Sequence, residues 1–107
     1  MSVCVYYKGD KLCYSWPSMA ELTTILNELG MDEQIEETEI SEGLARNITK
    51  LLQDALEAGR LGGKYVTSDP VGRQFKDPYK VVAVDGDIPL TEGEMLWIKN
   101  VIAFFSR

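Results

Sequence analysis

Apolar and polar positions alternate with a period of two at the start of the chain. Val3, Val5, Tyr7, Leu12, Tyr14 and Trp16 share one face if Val3–Lys8 and Lys11–Trp16 form a hairpin around Gly9-Asp10. Glycine at the first central position suits a type II′ turn. That register sets Cys4 opposite Ser15 and Cys13 opposite Tyr6, so the two cysteines lie on a diagonal about 7–8 Å apart. This is too far for an unstrained disulfide, and both cysteines are read as reduced; a bridge stays open only for a turn built differently. The second face carries Cys4, Tyr6, Lys8, Cys13 and Ser15, partly exposed or covered by another layer.

The period then changes to that of a helix. Ser18-Met19-Ala20-Glu21 reads as a capping box, Met19, Leu22, Ile25, Leu26 and Leu29 recur at helical spacing, and Gly30 is a natural stop. A second helix is predicted from Ser41 as N-cap to Ala58-Gly59, with Leu44, Ala45, Ile48, Leu51, Leu52, Ala55 and Leu56 as its apolar stripe. Arg60–Gly63 reads as a flexible turn, Lys64–Thr67 as a short strand ended by Asp69-Pro70, and 68–78 as a surface loop. Tyr79–Asp85 holds the continuous run Val81-Val82-Ala83-Val84, which suggests a strand covered on both faces. A third helix follows Thr91, with Glu94 completing a capping box and Leu90 and Met95 placed as a hydrophobic staple. Its buried face is Met95, Ile98, Val101, Ile102 and Phe105, with Trp97 and Phe104 beside it.

The order β-β-α-α-β-β-α predicts one α+β domain over 1–107. In it three helices (near 18–29, 41–58 and 91–105) pack on a small, mainly antiparallel sheet, built from the N-terminal hairpin plus strands near 64–67 and 79–85. A length of 107 residues, 45% hydrophobic and 26% charged, suits one domain with a core of its own. No apolar run approaches the roughly 18 residues of a membrane span, and Met1–Asp10 lacks the basic-then-apolar pattern of a secretory signal. A soluble, cytoplasmic protein is the expectation.

Charge sharpens this picture. Residues 1–45 carry Lys8 and Lys11 against nine acids, whereas residues 46–107 carry nine basic and eight acidic residues. Between Lys11 and Arg46 there is no lysine or arginine, and 32–42 holds six acids in eleven positions. A local negative potential of this kind disfavours nucleic acid and anionic membrane and steers basic partners. Asp32, Glu33, Glu36, Glu37 and Glu39 are interleaved with Ile35, so an apolar centre with a charged rim is one reading of the segment. A solvated linker, tied to the core by Ile35 and Ile40, is the other. Arg73 and Phe75, in a loop with two basic residues and an aromatic, are further candidate partner contacts.

Histidine is absent, which removes the commonest general base and metal ligand and the Ser-His and Cys-His nucleophile pairs. Two separated cysteines do not make a zinc site. Gly62-Gly63-Lys64 falls short of a phosphate loop, because Ala58 and Tyr65 stand where glycine and Ser/Thr are required. Asp85–Glu92 matches only the second half of a calcium loop, since Val81 and Ala83 occupy ligand positions of the first. No catalytic residue, metal or cofactor is assigned. The expected function is a non-enzymatic acidic module that binds a basic protein surface, of the inhibitor or immunity type. The alternative is a small-ligand or carboxylate-dependent, metal-assisted enzyme domain using Asp85, Asp87 or Glu92 after the 79–85 strand. The aromatic hairpin face also leaves a homodimer open.

Overall fold

The computed structural model describes residues 2–32, 39–68 and 74–107, the side chains of 67, 68 and 74–78 excepted. The elements are β1 (Ser2–Tyr7), β2 (Asp10–Ser15), α1 (Trp16–Glu28), α2 (Glu42–Glu57), β3 (Leu61–Ser68), β4 (Gln74–Val84) and α3 (Glu92–Phe105). The fold is α+β, and the strands form two separate antiparallel ladders, β1-β2 and β3-β4.

The hairpin turn differs from expectation. Tyr7 pairs with Asp10, so the two central residues are Lys8 and Gly9, with φ of 51° and 81°. Positive φ at both positions is the type I′ geometry, whose twist matches that of the strands. The pairing moves by two residues, so the buried face is kept: Val3, Val5 and Tyr7 lie in the core, with Leu12 and Tyr14 packed against it. The same shift sets Cys4 opposite Cys13, with a Cα–Cα distance of 4.1 Å, and the two are joined by a disulfide. The expectation of two reduced thiols is thereby overturned. Its error lay in the turn position, since the diagonal spacing followed from the Gly9-Asp10 register.

Trp16 begins α1 and does not extend the hairpin face; it is 41% exposed. Pro17 sits in the first turn, where a missing N–H is harmless. The expected Ser18–Glu21 box does not form, because the helix has already started. The Ser15 hydroxyl donates to that of Ser18, and Glu21 turns away to β4. Helices α2 and α3 start as read: Ser41 accepts from the Leu44 N–H, and Thr91 and Glu94 make a complete capping box. Ile40 and Ala45, flanking the start of α2, are both buried. α1 and α2 close with the Met31 N–H on the Leu26 carbonyl and the Arg60 N–H on the Ala55 carbonyl.

Residues 61–63, read as a turn, belong to β3, and β4 begins at Gln74 within the expected loop. Gly63 exchanges both backbone hydrogen bonds with Ile88 (2.6 and 3.0 Å), which covers the outer edge of β3. A Cβ on Gly62 would stand 2.5 Å from the Gly86 carbonyl oxygen, so the Gly62-Gly63 pair answers a close backbone approach. The core lies between the hairpin and the helices. It joins Met19, Leu22, Ile25 and Leu26 of α1, Ala45, Ile48, Leu52 and Ala55 of α2, and Ile98, Val101, Phe104 and Phe105 of α3. Tyr7 stacks edge-on or tilted against Phe104 and Phe105, with ring centroids 6.3 and 5.9 Å away.

Candidate functional site

Two surfaces stand out, one acidic and one basic, and the β1-β2 hairpin contributes to both. On the acidic side, the chain leaves α1 through Met31, which is buried, and Asp32, which is exposed. It rejoins the described structure at Glu39, exposed and bridged in parallel to Tyr6 of β1. The Ile40 N–H donates to the Tyr6 carbonyl at 2.7 Å, and the Ile40 side chain is buried. Tyr6 pairs with Lys11 as a non-hydrogen-bonded pair of the hairpin, so its carbonyl points outward and is free to take this bond. The Tyr6 side chain lies on the outer face and is 44% exposed.

Of the residues expected to contact a partner, Asp32 and Glu39 are therefore on the surface. Glu33, Ile35, Glu36, Glu37 and Arg73 lie outside the described residues, as does the side chain of Phe75, whose backbone is in β4. Tyr6 was not singled out by sequence reasoning, although the alternation did place it on the outer hairpin face.

The basic side is a cleft of about 390 Å³ between the Lys8-Gly9 turn, α2 and the end of α3. Lys8, Arg46, Lys50 and Arg107 line it, together with Glu42 and Asp54, over a floor that includes Tyr7 and Phe105. Lys8 and Arg46 share Glu42 at 3.5 and 3.8 Å. The Tyr7 hydroxyl (3.2 Å) and the Lys8 ammonium (2.8 Å) both donate to the Arg107 carbonyl, and the Arg107 guanidinium pairs with Asp10. Positions 46, 49, 50 and 53 fall on one polar face of α2, a spacing readable in the sequence once the helix is placed.

A third cluster lies where α1, β4 and α3 meet. Because Gly63 gives both its bonds to Ile88, the Val82 N–H opposite it faces away from β3, and the Glu21 carboxylate accepts it. Burial pushes the Glu21 carboxyl above its ordinary value; the Val82 N–H opposes this and Glu94 adds to it. Burial pushes Glu94 up as well, but the Lys80 ammonium at 2.8 Å and the Thr91 N–H and hydroxyl outweigh it and hold Glu94 below the ordinary value. Each carboxylate here has a structural partner.

Asp85 pairs with Arg60 at 3.5 Å, and its N–H donates to the Arg60 carbonyl. Asp87 and Glu92 are exposed. Among the described residues no group of three acids or cysteines is arranged to hold a metal ion, and no helix is long and apolar enough to cross a membrane. Comparison with known protein families, curated proteins and solved structures finds no match.

Proposed function

We propose that this chain is a non-enzymatic binding module whose acidic segment and the adjacent outer hairpin face dock a protein with a basic surface, masking that surface as an inhibitor or immunity-type protein does. The observation that carries the reading is the placement of Tyr6. An exposed aromatic, on a strand made rigid by a cross-strand link, stands beside Glu39 at the end of the acidic segment. Aromatic anchors ringed by charge are what protein interfaces use for affinity, and the uninterrupted negative charge from Asp32 to Glu42 supplies steering. A disulfide persists in oxidising surroundings, so the paired Cys4 and Cys13 favour an oxidising setting, whereas a cytoplasmic one would keep them as thiols.

Partner capture from native lysate tests the reading, with the wild type, the quadruple variant E33Q/E36Q/E37Q/E39Q, and Tyr6→Ser as baits. The wild type is expected to retain a basic partner that added salt releases, and both variants are expected to lose it. Equal retention by all three baits would assign the acidic segment to solubility alone.

A further inference from the structure

We propose that the cleft between the Lys8-Gly9 turn, α2 and the end of α3 is a second binding site, for a small molecule carrying a phosphate group. In a chain of net charge −6, Lys8, Arg46, Lys50 and Arg107 converge there from three parts of the fold. Their neutralisation is incomplete. Glu42 is shared by two of them, at distances longer than the 2.7–2.9 Å of a good charge-assisted bond. Arg107 is held by Asp10, and Lys50 makes no ion pair among the described residues. Arg46 and Lys50 are like charges one helical turn apart, a mildly repulsive arrangement. Glu42, one turn before Arg46, offsets part of this repulsion, and an anion between the two cations would offset the rest.

The chemistry of the ligand follows from the lining. Several cations around one space call for more acceptor oxygens than the two of a carboxylate, and a phosphate monoester brings three with a charge of about −1.5 to −2 at pH 7. Arg46 offers a planar fork to such a group, and Lys8 and Lys50 offer mobile ammonium groups. The volume falls in the range of small-molecule sites. Asp10, Glu42 and Asp54 around it oppose a nucleic-acid backbone, which needs an extended basic track. Tyr7 and Phe105 lie beneath the cleft but are buried, 3% and 2% exposed, so the surface a ligand meets there is mainly polar.

The test is an NMR titration of the full chain with inorganic phosphate and with phenyl phosphate, against sodium chloride at matched ionic strength. Saturable shifts are expected at the amides of Lys8, Arg46, Lys50 and Arg107, with at least tenfold weaker binding in R46Q/K50Q and a measurable loss in Lys50→Gln alone. Both positions changed are solvent-facing, and unaltered dispersion of the remaining amides verifies the fold. Absence of a saturable response to either probe overturns the proposal. So does an affinity unchanged by both variants, and so does a dimer that R46Q/K50Q dissolves without any phosphate binding, which would assign the cleft to an acidic segment of a second copy.

Discussion

At the scale of single residues, Glu21 is the most informative position. Its carboxylate closes the outer edge of β4 by accepting the Val82 N–H, so it does for a strand what a cap does for a helix. The arrangement has a cost, because the carboxyl is partly buried beside Glu94 and its folded-state pKa is raised. A folded state with the higher pKa holds its proton longer than the unfolded chain. The group therefore contributes nothing below its unfolded value near 4.5, and its contribution becomes unfavourable as pH rises from there through the raised folded value. Glu94 runs the other way: its folded pKa is lowered, so its stabilisation is present above the unfolded value and is lost as pH falls through the folded one. Glu21→Gln keeps an acceptor for Val82 without the charge. It is expected to be at least as stable as wild type at pH 7, and to remove the decline in stability just above pH 4.5. Glu21→Ala leaves a strand N–H without its acceptor and is expected to lose about 1–3 kcal/mol. Urea denaturation from pH 4 to pH 8 measures both, and a Gln variant as unstable as the Ala variant would sink the account.

At the scale of elements, the hairpin shows how one turn decides a covalent bond. With Lys8-Gly9 as the central pair, Cys4 and Cys13 sit opposite each other at a non-hydrogen-bonded position, where backbones come closest. Closing a loop of this length is worth about 2–3 kcal/mol in the chain-entropy model. The purified chain is expected to resist maleimide until reduced, and the reduced form and C4S/C13S are both expected to lose stability by that amount in urea. Immediate labelling of both thiols in air-purified protein would contradict the pairing. This element also marks how far pattern reading reaches. The alternation identified the buried face correctly, because a shift of two residues leaves faces unchanged. It could not choose between Gly9-Asp10 and Lys8-Gly9, since both are two-residue turns containing glycine. Thr91–Glu94 formed as read, whereas the equally good Ser18–Glu21 signature did not, because Pro17 and the preceding Trp16 let the helix begin earlier. The Gly62-Gly63 pair looked like a turn because its reason lies at Gly86 and Ile88, far along the chain.

At the scale of the whole molecule, charge is the property read most directly from sequence, and its spatial use is the part that sequence hid. The gap from Lys11 to Arg46 was visible as a run, but the basic cleft is assembled from residues as far apart as Lys8 and Arg107 and required the fold. If the acids of 33–39 are kept for a partner, they should be a burden on the isolated chain. A net charge of −6 raises the free energy of any compact state through self-repulsion, and the exposed ion pairs in the described structure each return little. Neutralising four acids in E33Q/E36Q/E37Q/E39Q is then expected to raise the melting temperature at about 0.01 M salt, where the Debye length is about 30 Å. The gain should shrink in about 0.2 M sodium chloride, because screening falls below 10 Å and relieves the wild type in the same way. Calorimetry at both salt concentrations gives the comparison. A variant less stable than wild type at low salt would mean that these carboxylates stabilise the folded chain, and their presence would need no partner to account for it.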